Sequence, residues 1–482
     1  MDEIHVSVPY DFDTLDPHAR NTISNFAIAS NFYEPLVRTD AALKIQPALA
    51  KSWQNPDLLT WVFELQPDAR FHSGKPVAAE DVVYSFHRLL DHPELEMRSY
   101  LVNIKDVTAL DPHRVQVRTR KPVSVFLNRL NFVLIVPRDS STEALASRED
   151  GTGPYMLESW KKGKSLRLKR FGGYWGKAPA FASVTFELSR TPQQALEDAQ
   201  TGKSHLVQSN SRDMATFVKN SVRYRMLLHD SLFVKYLGFD MEREVTPYCD
   251  TATNPFRNPL VRQAIRSALD LRRLTSRLSS YSTPASQLVP SFVFGFNPSL
   301  APAEYQFEKA KQLMVQAGYP QGFSVTMNAR KTLVEAAQEV KDQLQLLNVR
   351  VEVNALSSGD FYNAIDRGDV SFYLTGWGCP TGDASNVFED AIHTRDDPTQ
   401  FGSSNFGGYS NPAIDRAIEA SADLVTDEAR QSEFQRIMAA VMQDLPWIPL
   451  YVDQEAYAVD NSLSWTPRND SYVFAFEIGT KQ

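Results

Sequence analysis

Two Gly-Lys-Ser runs, Gly163–Ser165 and Gly202–Ser204, have the residue types that cradle a phosphate, since bare amides and a lysine are what such a loop presents. Both break the spacing, because the earlier glycine the loop needs is Glu158 in one case and Glu197 in the other. A carboxylate at that point repels the anion. Gly151-Thr152-Gly153 lacks the third glycine of a dinucleotide loop, position 156 being Met. The chain contains neither a His-Glu-x-x-His zinc pattern nor a Gly-x-Ser-x-Gly nucleophile elbow. Nine histidines are scattered, and His87 and His92, five apart, do not share a helical face. Each histidine reads as a surface or hydrogen-bonded core residue. Two cysteines, Cys249 and Cys379, fit either one disulfide in an oxidising compartment or two buried thiols. No constellation here could perform covalent or metal-assisted chemistry. The expectation is a protein that is not an enzyme and holds no cofactor or metal.

The elements that must position the remaining residues are legible in the patterning. The 482 residues are 43% hydrophobic and 22% charged, with a formal charge of -8, which is ordinary globular composition. At this length two or three lobes are expected rather than one core. Mild acidity excludes the basic face that nucleic acid requires, and no apolar run reaches the roughly 20 residues of a membrane helix. Ile4, Val6 and Val8 alternate with His5 and Ser7, so the chain enters a strand at once, without the basic and apolar regions of a signal peptide. That start fits either a cytoplasmic protein or a trimmed, exported one. Strands are expected at 61–65, 115–119, 165–170 and 184–188, and a helix at 78–90 with Val82, Val83, Phe86, Leu89 and Leu90 on one stripe.

From 258 onward the pattern changes to helices at 258–269, 308–317, 332–347, 412–421 and 426–444. These alternate with strands at 324–328, 349–353 and 370–376, then near 448–452 and 472–477. Ser358 is placed as the N-cap of the helix that follows 349–353. Helices between strands imply crossovers and a largely parallel sheet. The segment 246–259, rich in Pro, Asn and Thr, reads as the linker between the halves.

Several segments, in order, resemble the extracellular solute-binding proteins of the dipeptide, oligopeptide and nickel type that serve ABC importers. They are Thr14–Pro17 (TLDP), Tyr33–Val37 (YEPLV), Pro47–Trp53 (PALAKSW), Leu59–Phe63 (LTWVF) and Phe71–Pro76 (FHSGKP) with Ala79–Phe86 (AEDVVYSF). Next come Gly151–Tyr155 (GTGPY), Asn258–Ile265 (NPLVRQAI), Leu374–Gly378 (LTGWG), Gly408–Pro412 (GYSNP) and Asp444–Tyr451 (DLPWIPLY). The resemblance implies an α/β fold, a two-lobed periplasmic-binding-protein clamshell with an extra inserted subdomain. It sets lobe I at 1–40, 160–250 and 452–482, the inserted subdomain at 41–159, and lobe II at 255–451. It also implies export to the periplasm or outer cell surface, a monomer, a membrane permease as partner and a small solute or peptide held between the lobes. His72 is expected to shape a turn and not to touch ligand.

For the site, the resemblance implies that Trp377 and Gly378, at the end of a second-lobe strand, line the ligand cleft, with Cys379 beside them. Gly376 and Gly378 would let backbone approach closely. Peptide-binding relatives place an amine-pairing Asp three residues after this tryptophan, where this chain has Pro380; proline carries no charge, and Asp383 is either the nearest substitute or the counterpart of a second, structural Asp that commonly follows in the family. Arg330, at a strand end, suits a carboxylate or phosphate of the ligand. Ser24 and Asn25 are expected to face the cleft from the first lobe. Some relatives have a disulfide nearby, which here would pair Cys249 with Cys379. Nickel binding is not expected, for want of a His, Met or Cys cluster. The leading reading is capture of a peptide or other small polar solute for a permease. The second is the ligand-sensing domain of a cytoplasmic transcription regulator, since this fold also occurs behind DNA-binding segments.

Overall fold

The computed structural model describes residues 2–278, 281–424 and 426–481. They divide into two compact units, Met1–His229 together with Glu455–Gln482, and Asp230–Gln454. The chain passes between the units twice, at 229/230 and 454/455, and both passages fall inside long strands, Tyr224–Phe239 and Trp447–Asp460. The expected linker at 246–259 is not one. Cys249 bridges Val325, the Thr326 amide donates to the Tyr248 carbonyl, and the Asp250 amide donates to the Ser324 carbonyl. The segment is thus pinned along a strand of the second unit.

In the first unit, Glu3–Val8 lies parallel to Ser183–Leu188 on one side and to Leu206–Gln208 on the other. Beyond Ser183–Leu188 the sheet continues antiparallel through Ser165–Arg170 and Tyr155–Lys161. Leu206–Gln208 pairs antiparallel with 457–459. Ile4, Val6 and Val8 are buried, as their alternation requires. A separate antiparallel sheet occupies part of the expected inserted subdomain, in the order Ala50–Asp57, Thr60–Leu65, Arg114–Thr119 and Ile104–Asp111. The helix Ala79–Asp91 covers it with Val82, Phe86 and Leu89.

That helix is tied to the N-terminal segment by a buried triad. Arg88 donates both terminal nitrogens to the Asp16 carboxylate, at 3.1 and 2.6 Å, and one of them to His18 Nδ1 at 2.8 Å. Since His18 Nδ1 accepts, its proton sits on Nε2, which donates to the Leu134 carbonyl at 2.7 Å. No proton can be added without meeting the guanidinium.

In the second unit, Phe323–Arg330 runs parallel to Val349–Leu356 and to Phe372–Gly378. Phe372–Gly378 pairs antiparallel with 233–239, and Trp447–Asp460 follows with Ser282–Pro284 on it. One face carries Phe239, Phe323, Met327, Phe372 and Leu374 into a core with helices Pro259–Ala268, Leu271–Arg277, Phe307–Gln316 and Val334–Gln345. The expected N-cap at Ser358 is Ser357, whose hydroxyl accepts the Asp360 amide. No strand forms at 472–477. Ser471 turns the backbone with φ 65°, and Tyr472, Phe474 and Phe476 then stack on one another, with a short 3-10 turn at Ala475–Glu477.

Burial and Arg88 depress the His18 pKa from 6.5 to about 4. Between those values the unfolded chain takes up a proton that the folded chain refuses. Stability is therefore complete above about pH 6.5 and falls as pH drops toward 4, by about 3 kcal/mol from this group. Urea unfolding at pH 7 and pH 4.5 should show that loss, and His18→Gln, though less stable throughout, should show a correspondingly smaller acid-dependent loss.

Candidate functional site

The strand Phe372–Gly378 has two faces with different chemistry. Phe372 and Leu374 enter the helical core, while Tyr373, Thr375 and Trp377 alternate to the opposite face. Register places Tyr236 beside Thr375 and Val234 beside Trp377 on that face, with Arg330 one position past the Ala329–Leu374 pair. Trp377 is partly exposed, and its ring lies 6.1 Å from Trp447. Trp447 in turn stacks on Tyr236 at 3.7 Å with an interplanar angle of 11°. The helix Ser358–Asp366 reaches the same face through Phe361, 6.5 Å from the Tyr373 ring.

Polar atoms on this face are buried without partners among the described residues: Arg330 Nε, Trp377 Nε1, Thr375 Oγ1 and the hydroxyls of Tyr236 and Tyr373. Each unmade bond costs about 1–3 kcal/mol. Arg330 is the last residue of its strand and forms no ion pair among the described residues. Burial, above all, pushes the Tyr236 hydroxyl pKa up, and the Arg330 charge opposes that rise. The arginine and tryptophan nitrogens can only donate, so this face calls for an acceptor.

Gly376 and Gly378 are closely approached by the neighbouring strand's side chains. A Cβ at Gly376 would stand 2.7 Å from Lys235 Cδ, and one at Gly378 would stand 2.7 Å from Phe233 Cε1. The space they leave is filled by the neighbouring strand's side chains. Lys235 completes that packing by pairing with Asp453 at 2.6 Å.

The loop after Trp377 is rigidly built. The Gly382 amide donates to the Cys379 carbonyl, while Phe294 and Ala384 amides bond across to Gly382 and Phe294 carbonyls. Asp383, 5% exposed, receives Arg430 Nη2 at 2.7 Å on one oxygen and the Ser385 amide at 2.9 Å on the other. Arg430 is itself held between the rings of Phe294 and Phe434. The Asp383 carboxylate is therefore engaged inside the unit, and Pro380 leaves no acid in its place.

The disulfide alternative gives way to two thiols. Cys379 is buried and donates to the Asp383 carbonyl at 2.9 Å, while half-buried Cys249 lies 3.2 Å from Thr251 Oγ1. The sulfurs have separate partners because Cys249 belongs to the segment clipped onto Val325. In the first unit, Asn25 is buried with its amide donating to Asp13 at 3.1 Å. Among the described residues the Ser24 hydroxyl bonds only that of Thr22, which caps the helix Ile23–Ala29. His72 is structural, bonded to Glu149 at 2.6 Å and to the Gly153 carbonyl at 2.9 Å. Among the described residues no group of His, Cys, Asp and Glu could hold a metal ion, and no helix is long and apolar enough to cross a membrane.

Sequence reasoning missed Tyr236, Tyr373, Thr375, Trp447 and Arg430. The odd-numbered alternation of Tyr373, Thr375 and Trp377 was a usable signal. Nothing local connects Arg430 to Asp383, 47 residues away.

Residues 44–398 match the family described as bacterial extracellular solute-binding proteins, family 5, middle. The chain belongs to this family. It is 26% identical to the glutathione-binding protein GsiB of Salmonella typhimurium over 493 residues, covering 98% of this chain and 93% of the relative. The GsiB of Escherichia coli K12 is likewise 26% identical over 494 residues. Among solved structures, HbpA2 from Haemophilus parasuis superposes with a TM-score of 0.86 at 20% identity, over the full length of both chains. DppA from Helicobacter pylori, in complex with the peptide STSA, gives 0.80 at 21% identity, over 100% of this chain and 98% of that one. The fold is that of two-lobed periplasmic binding proteins, and the function is solute binding. The regulator reading gains no support from these relatives.

Thiol titration of the unfolded, unreduced chain should find two reactive cysteines. In the folded chain, burial raises both thiol pKa values, that of Cys379 far more. Cys379 should therefore react only on unfolding. Asp383→Asn should cost about 3–5 kcal/mol in denaturant melts, as expected when one partner of a buried pair is removed.

Proposed function

We propose that this chain is the exported capture component of an ABC importer, and that its solute is a small peptide-like molecule offering a carboxylate to the Arg330–Trp377 face. The observation that carries this reading is Arg330, whose Nε is buried unpartnered on the same sheet face as the unpartnered Trp377 Nε1. Two donor-only groups beside an aromatic ring suit a carboxylate and the adjoining apolar stem. With Asp383 committed to Arg430, an ammonium group would find no spare acid in this loop. Relatives named for glutathione and a neighbour solved with a peptide support a solute of this size.

Mechanistically, the solute stabilises whichever arrangement of the chain it contacts most, and a permease at the membrane would recognise that arrangement. The solute leaves unaltered. The family's members bind rather than transform, and this chain is proposed to do the same, as a monomer in the periplasm or at the outer cell surface.

Calorimetric titration with glutathione and with tri- and tetrapeptides tests the reading. At least one should bind saturably. Arg330→Met should weaken the acid by about tenfold to a hundredfold while sparing its carboxamide analogue. Trp377→Ala should weaken both forms. Equal loss for acid and amide in Arg330→Met would remove the charge role, and unchanged affinity in Trp377→Ala would remove this face from the site.

A further inference from the structure

The first unit holds a cavity of about 550 Å³, lined by residues other than those proposed above for the solute. That size lies within the usual range for small-molecule pockets. Its walls are Tyr174, Trp175, Phe476 and Ile478 with three prolines, and Arg38 and Lys177 are its cations. All of its lining belongs to Met1–His229 and Glu455–Gln482.

The aromatic wall is fixed in advance of any occupant. Glu34, buried beneath it, accepts the Tyr174 hydroxyl at 2.8 Å on one oxygen and the Trp175 indole N–H at 2.9 Å on the other. Pre-organised rings lose little entropy when a ligand stacks on them. Arg38 is set in the same way, its guanidinium 5.6 Å from the centre of the Phe476 ring. Among the described residues Arg38 and Lys177 form no ion pair within 4 Å, although the Glu34 and Glu477 carboxylates are near enough for their charges to act on Arg38. The acid that lines the cavity, Glu477, is engaged by Arg468 at 2.6 Å.

A guanidinium set near an aromatic ring, in a cavity with a second cation and apolar walls, matches a planar apolar body bearing one carboxylate. The loop carrying Tyr174 and Trp175 leads into the amino end of Ser183–Leu188. Ligands of open parallel sheets sit at the carboxyl ends, so this cavity is separate from a solute site of that kind.

We propose that the first unit carries a second binding site, for a small aromatic carboxylate, centred on Arg38 and Trp175. The ring lies against Trp175 and Phe476 while the carboxylate meets Arg38 and Lys177. A molecule of this class occupies the site independently of the transported solute.

Calorimetric titration of the intact chain with indole-3-acetate, and with indole-3-acetamide as its uncharged counterpart, tests the site. The acid should bind saturably at millimolar concentration or below, and the amide about tenfold more weakly. Arg38→Met should bring the acid down to the level of the amide. The exposed Lys177→Met, which cannot disturb the core, should weaken the acid several-fold. Trp377→Ala should leave the acid's affinity unchanged. An absence of saturable binding, an affinity indifferent to both cation replacements, or a loss in Trp377→Ala would overturn the proposal.

Discussion

A carboxylate taken out of water must be met by donors, and in the second unit that requirement shapes the site. Asp383 is 5% exposed, and both its oxygens are engaged, by Arg430 and by the Ser385 amide. Arg430 comes from the helix Asp427–Asp444, so the pair anchors the loop after Trp377 to a helix distant in sequence. Because the loop cannot drift, Trp377 keeps its position at the strand end. Arg330 Nε, by contrast, is buried without a partner among the described residues.

The segments that mark the family are, for the most part, partners of one another. Tyr409 and Asn411 both donate to the Asp444 carboxylate, at 2.6 and 2.7 Å, joining the Gly408–Pro412 run to the Asp444–Tyr451 run. His72 bonds the Gly153 carbonyl, and its amide donates to that of Gly151. A Cβ on Gly151 would lie 1.6 Å from the Phe32 carbonyl oxygen, which explains the glycine by close approach of the Tyr33–Val37 strand entry. Asp16, from Thr14–Pro17, is met by Arg88 on the helix that begins with Ala79–Phe86. These pairings report the scaffold.

Legibility in the sequence followed the range of the interaction responsible. The helix Ala79–Asp91 and the strand Glu3–Val8 were readable because burial of one face imposes a local period. The segment 246–259 misled because Pro, Asn and Thr describe a loop's composition but not whether its backbone finds a strand to bond. The apolar run at 472–477 misled in the opposite direction, since its rings stack on one another instead of joining a ladder. At the site, Trp377 and Arg330 could be named from type and position. The packing of Lys235 and Phe233 against Gly376 and Gly378 could not, because it comes from another strand.

The amino-acid order alone determined the succession of helices and strands, the absence of a reacting constellation and, through its ordered motifs, the family. Those are properties of short segments, set by periodicity and by residue type. Tertiary structure decided which charges are spent and which are available, that the two cysteines stay apart, and that Tyr236, Tyr373 and Thr375 share a face with Trp377. Such outcomes depend on groups brought together across tens or hundreds of residues. Electrostatic and hydrogen-bond pairing act over a few ångströms of space, whatever the separation along the chain.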